Sequence, residues 1–144
     1  IISETPADAL RPRLEIEAEG KHIGFVCSYP LGEDFEPVTH RRAADAKIRC
    51  ALGIEICEPA FWGRGLGAQA LAAAITYYQN NGFKHFYLET WSGNKRMLKC
   101  AERFGFYVAN KKPAFRQANG KNYDAVFLRL NDKKFKAYLD KNSE

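Results

Sequence analysis

The sequence predicts a mixed α/β (α+β) fold: one twisted, mostly antiparallel sheet flanked by helices, with a central strand–helix–strand crossover. Three observations predict it. Apolar and polar residues alternate with a period of two on either side of Glu19-Gly20. The stretch FWGRGLGAQAL, Phe61 to Leu71, sets three glycines directly before a run of helical period. After that run the pattern reads strand, helix, strand, strand, so only the unit around the first helix needs to be parallel, with a right-handed crossover.

The elements follow in order. Leu14–Ala18 and His22–Tyr29 form a β-hairpin about the turn Glu19-Gly20-Lys21, with Ile23, Phe25 and Cys27 on one side. Pro30–Asp45, rich in Gly, Pro and charge, reads as an exposed loop, followed by a strand from Ala46 to Cys57 that Pro59 ends. Leu66, Ala70, Leu71, Ala74, Ile75 and Tyr78 recur at helical spacing up to the stop at Asn81-Gly82. His85–Trp91 is aromatic and β-branched enough for a strand. Ser92-Gly93-Asn94 caps a second helix, whose inner stripe is Met97, Leu98, Ala101 and Phe104 and whose stop is Gly105. Phe106–Ala109 and Tyr123–Leu130 read as closing strands joined by a loop with Asn119-Gly120 at its tip, and Lys133–Lys141 as a short basic helix.

The 144 residues suit one domain and a core that needs no disulfide or metal. Hydrophobic residues are 46% and charged residues 27%, with no apolar run of membrane-spanning length. Cys27, Cys50, Cys57 and Cys100 lack C-x-x-C spacing and read as reduced, buried thiols of a cytoplasmic protein. His22, His40 and His85 are not set at ligand spacing, so no metal site is expected. A formal net charge of +5 permits an anionic partner without naming one. The dense basic and aromatic patch that nucleic acid needs is absent: Lys111-Lys112 and Lys133–Lys141 come nearest, and a solvated helix face explains the latter.

A glycine-rich turn that leads into a helix start is an anion site, because free N–H groups converge there and the helix dipole adds to them. Phosphate or pyrophosphate is the natural guest. Gly65-Leu66-Gly67-Ala68-Gln69-Ala70 fits the dinucleotide pattern G-x-G-x-x-A, with Glu89 at a suitable distance. Against that reading, Glu58–Trp62 separate the strand from the glycines, an antiparallel hairpin precedes the unit, and too little chain remains for a doubly wound domain. A nucleotide P-loop needs a Lys-Ser or Lys-Thr pair, and none occurs.

Trp62-Gly63-Arg64-Gly65-Leu66-Gly67 resembles the coenzyme A loop, Q/R-x-x-G-x-G/A, of the GNAT superfamily of N-acetyltransferases. Its departure, tryptophan at the first position, is similar to the RimJ/RimL branch, which acetylates protein N-termini and some small amines. Asn94, with Gly105 and Phe106 eleven and twelve residues later, matches a second family motif, and ETWSGNKRM followed by AERFGF resembles bacterial members of that branch. The resemblance covers Leu14 to Leu130. It implies that Trp62, Gly63, Arg64, Gly65, Leu66, Gly67 and Ala68 hold the pyrophosphate of acetyl-CoA, that Asn94 touches the pantetheine arm, and that backbone N–H groups at Ile56 and Cys57 stabilise the oxyanion. Each motif also has a plain structural reading, as a tight turn, an N-cap and a helix stop.

Transfer of an acetyl group from a thioester needs a neutral amine. An α-amine titrates at ~8 and a lysine at ~10.4, so a base is useful. Glu55, a charge among apolar strand residues, and Glu89, late in the next strand, are the candidates by position; the resemblance associates both positions with the catalytic carboxylate. Each has the alternative of facing solvent or pairing with a basic neighbour. The family's usual acid is a tyrosine seven residues after the asparagine, and Ala101 stands there; the serine of the RimL type is replaced by Met97. A thiolate leaving group with a thiol pKa of ~8.5 needs little protonation. Cys100 or Tyr123 could substitute, although core packing explains both.

The resemblance further implies a strand and two helices ahead of the hairpin that wall the acceptor site, whereas 13 residues precede Leu14. The expectation is therefore a single acyl-CoA N-acyltransferase domain over residues 1–144, incomplete at its N-terminus. It would acetylate a primary amine, either a peptide N-terminus or a small molecule, in the cytoplasm, with no nucleic-acid or membrane partner and with a homodimer compatible. The alternatives are a noncatalytic acetyl-CoA-binding module of the same fold and a dinucleotide-binding domain.

Overall fold

The computed structural model describes residues 12–32, 34–36 and 49–142, apart from the side chains of residues 114–116. The chain runs through β1 (Arg13–Ala18), β2 (Lys21–Leu31), β3 (Arg49–Ile56), a 3₁₀ turn (Pro59–Phe61), α1 (Leu66–Asn80), β4 (Phe86–Trp91), α2 (Lys95–Phe104), β5 (Phe106–Ala118), β6 (Lys121–Leu130) and α3 (Asp132–Lys141). The strands make one sheet in the order β1-β2-β3-β4-β6-β5. Only β3 and β4, joined through α1, are parallel; the other neighbours are antiparallel. This is the mixed α+β sheet the sequence predicts. Its order also removes the dinucleotide-binding alternative, which requires a doubly wound parallel sheet.

Alternation along the strands sorts the side chains into two layers. Val26, Cys50, Leu52, Phe86, Leu88, Val126 and Leu128 face the three helices and pack with Leu71, Ile75, Tyr78, Ala101, Phe104 and Phe135 into the main core. The helices therefore share one face of the sheet. The other face carries a smaller cluster, Leu31, Ala51, Tyr87, Ala125 and Phe127, with Tyr29 and Phe35 against it. Ile23, Phe25 and Cys27 lie on one side of β2 as predicted, but Val26, on the opposite side, is the residue that enters the main core.

Two elements differ from the sequence expectation. Pro30 and Leu31 continue β2 and are buried, where a loop is predicted from Pro30. Even-numbered residues of β2 turn their amides toward β1, as Ser28 does toward Pro12 O at 2.8 Å. Among the described residues β1 reaches no further along β2 than this bond, so Pro30 omits no ladder bond to them. Most of the remaining predicted loop, and the strand start at Ala46, lie outside the described residues. At the other end, β5 and β6 continue past the predicted strand ends to a two-residue turn at Asn119 and Gly120, with φ 53° and 77°. Positive φ at both positions is the handedness a tight hairpin needs. β5 is an edge strand, and a register shift between Lys112 and Arg116 accommodates Pro113.

Candidate active site

The site begins where two strands stop pairing. β3 and β4 are paired from Cys50↔Phe86 to Leu52↔Leu88 and no further. Beyond that point β3 stays with β2 as far as Gly24↔Ile56, while β4 stays with β6 as far as Trp91↔Ala125. The sheet opens into a cleft between Gly53–Ile56 and Glu89–Trp91, at the end from which α1 departs.

Parity decides which amides line the cleft. Cys57 N donates to Ile23 O at 2.7 Å, so odd-numbered residues at this end of β3 are bonded to β2. The amides of Ile54 and Ile56 consequently point away from β2, into the opening. Of the two expected oxyanion donors, Cys57 is corrected: its amide is already engaged, and the one on the open side is that of Ile56. Ile56 O accepts the Trp62 indole N–H at 2.8 Å, which ties the glycine loop to the end of β3.

The loop itself needs glycine for handedness. Gly63 and Gly65 have φ 73° and 75°, a region costly for side chains with a Cβ, and a Cβ at either would meet nothing within 4 Å. Gly65 is the N-cap of α1 and supplies no capping side chain. Among the described residues nothing accepts from the amides of Gly63 to Ala68, and the first turn of α1 holds no acidic residue. Two guanidinium groups add positive charge: Arg64, bonded to Glu19 at 2.9 Å and lying over the Phe61 ring, and Arg96, 4.7 Å above the Trp62 ring centre. Trp62 is 47% exposed. Unpaired amides, a helix N-terminus and flanking cations fit a pyrophosphate.

Asn94 stands at the N-cap of α2, where its Oδ1 accepts from Met97 N at 3.2 Å. The capping reading of this residue is thus realised, and its Nδ2 makes no bond among the described residues. Ala101, where the resemblance would have an acidic tyrosine, is buried in the main core; burial pushes the Cys100 thiol up. Tyr123 packs edge-on against Trp91, 4.9 Å between ring centres. The expectation of buried cysteines holds for Cys50 alone: Cys57 is exposed, and Cys27 and Cys100 are half-buried.

Glu55 and Glu89 both project from the helix-free face, since they alternate in phase with Ala51 and Tyr87. Glu55 is exposed at the rim. Glu89 is half-buried, opposite Phe127, and accepts a hydrogen bond from the Tyr29 hydroxyl. Tyr29 is absent from the sequence-based site. No local sequence signal marks it, because its partner lies across the intervening strand β3.

These features coincide with a known family. Residues 4–106 match the acetyltransferase (GNAT) family, and the chain belongs to it. Acetyl-CoA is the acetyl donor of that family. Among solved structures, the chain is similar to a candidate phosphinothricin N-acetyltransferase at 25% identity, over 84% of this chain and 71% of that one, with a TM-score of 0.66. It is similar in fold to the ribosomal-protein-S18-alanine N-acetyltransferase of Escherichia coli (19% identity, 89% and 72% of the two chains, TM-score 0.64). The same holds for yncA of Salmonella typhimurium, solved with its cofactor acetyl-CoA (21%, 83% and 63%, TM-score 0.63). The chain therefore spans between 63% and 72% of the length of these structures. No curated protein matches the sequence.

Proposed function

We propose that this chain is an N-acetyltransferase, most like the RimJ/RimL branch, that moves an acetyl group from acetyl-CoA directly to a primary amine. The observation that carries the reading is the cleft between β3 and β4. It sets the unpaired amides of the glycine loop, the free amide of Ile56 and the carboxylate of Glu89 around one opening. When bound, acetyl-CoA supplies a thioester that an amine attacks. Gly63 to Ala68 hold its pyrophosphate through their amides, with Arg64 and Arg96 beside them, and Asn94 offers its free Nδ2 to the pantetheine arm. The Ile56 N–H faces the developing charge on the carbonyl oxygen. Glu89 takes the proton of the incoming ammonium, and Glu55, at the rim, draws cationic acceptors toward it.

Tryptophan at the start of the coenzyme A loop supports the branch, and alanine N-acetyltransferases of ribosomal proteins are among the proteins of similar fold. The acceptor is a peptide N-terminus or a small amine. The setting is cytoplasmic, in keeping with free thiols; a homodimer is compatible. Calorimetric titration with acetyl-CoA, beside NADH and beside Gly65→Trp, tests the reading. Micromolar binding of acetyl-CoA alone, lost in the variant, together with CoA thiol release on adding primary amines, is the expected result. The absence of acetyl-CoA binding overturns it. Binding without thiol release favours a second reading, a noncatalytic acetyl-CoA module, which the buried alanine at position 101 supports.

A further inference from the structure

The hydrogen bond from Tyr29 to Glu89 joins residues sixty positions apart, from β2 across β3 to β4. It exists because the two β3 residues that lie between them on that face, Ala51 and Gly53, are small. Tyr29 is paired with Ala51, and the next same-face position toward the cleft is Gly53, where a Cβ would already press within 3.1 Å of Cys27 Sγ. The phenol ring crosses this gap and ends on Glu89 Oε1.

We propose that Tyr29 is a positioning residue for Glu89, fixing the carboxylate by one oxygen so that the other is turned to the acceptor amine. The proposal rests on the reading of Glu89 as the proton acceptor. In the step it serves, an N–H bond of the acceptor ammonium breaks, an O–H bond forms at Glu89 Oε2, and the amine keeps the electron pair for attack. Oε1 meanwhile retains its bond from the phenol, which stays protonated. Two causes keep it so: burial, and then the Glu89 carboxylate it faces, push the Tyr29 hydroxyl well above the ordinary tyrosine range. No side chain of α2 supplies a hydroxyl here, since Ala101 is turned into the main core.

The test is a double-mutant cycle of Tyr29→Phe and Glu89→Gln in the full chain, read two ways. Thermal melts report whether the two side chains are coupled, independently of turnover: the double variant should lose less Tm than the two single losses together. Steady-state kinetics with a primary amine report the role. Glu89→Gln should lower kcat by about 10²–10⁴-fold. Tyr29→Phe should lower it by about tenfold with the acetyl-CoA KM unchanged, and should cost nothing further in the Glu89→Gln background. An active wild type whose kcat is unaffected by Tyr29→Phe, or in which the two effects multiply, overturns the positioning role alone. A wild type that acetylates no amine overturns the functional reading and this role together, even where the melts show coupling.

Discussion

At the scale of single residues, four positions separate handedness, crowding and exposure. Gly63 and Gly65 are glycines for backbone handedness, with open space around them. Gly24 is a glycine for space, because a Cβ there would fall 2.0 Å from Glu55 O on the neighbouring strand. Gly24→Ala must displace backbone at the cleft end of the β2–β3 ladder and should destabilise the protein by about 2–3 kcal/mol, measured by urea unfolding. Cys57 is the exposed thiol and follows Ile56 directly at the cleft. Under native conditions Cys57 should react first with a thiol reagent, Cys50 only on unfolding, and acetyl-CoA should slow the Cys57 reaction. Equal rates at all four cysteines would contradict the burial pattern. The glycine turn ahead of α1 is legible in the sequence because its glycines lie within a few residues of one another and of the helix they precede. Tyr29 is illegible there: its partner is set by strand order and by the small side chains of an intervening strand.

At the scale of elements, the caps carry the clearest test. Asn94 supplies an oxygen to the first turn of α2, and Asn131 does the same for α3 at 3.0 Å from Lys134 N. Capping uses the oxygen of Asn94, whereas the proposed pantetheine contact uses the nitrogen. Asn94→Asp should therefore keep stability and weaken acetyl-CoA binding, while Asn94→Ala should lose about 1 kcal/mol of stability and weaken binding as well. Unchanged affinity in Asn94→Asp, by calorimetry, would leave Asn94 a cap only. The helices are readable because the apolar period agrees with a glycine turn before α1 and an Asn-Gly stop after it, and with an Asn cap and a Gly stop in α2. The long β5–β6 hairpin is not: its outer half, KKPAFRQA, is polar and holds a proline, and edge position in the sheet, absent from any local pattern, is what tolerates both.

For the whole molecule, the groups with resolved shifts give stability a direction with pH. The pKa of Tyr29 and that of Tyr138 are raised from 10.0, and that of Cys100 from 9.0, in each case by burial first. An acid whose folded value is raised holds its proton in the native state after the unfolded chain has released it. Stability from these groups is complete below about pH 9 and falls as pH rises through the alkaline range. Glu15 works at the opposite end: the hydrogen bond from Arg13 lowers its pKa, so its small, solvent-screened contribution disappears in acid. The melting temperature should drop between pH 9 and pH 11, and Tyr29→Phe should flatten that slope. A melting temperature that is level across this interval would contradict the burial of these groups.

The mixed sheet, the crossover, the glycine loop at the start of α1, the Asn94 cap and the family are legible from local pattern alone, because these rest on spacings within one turn, one helix or one strand–helix unit. Long-range packing is what puts the helices on one face, turns the amide of Ile56 rather than Cys57 to the open side, and brings the Tyr29 hydroxyl onto Glu89. Each of these depends on register and strand order, which arise from packing between distant segments and leave no trace in the spacing of neighbours.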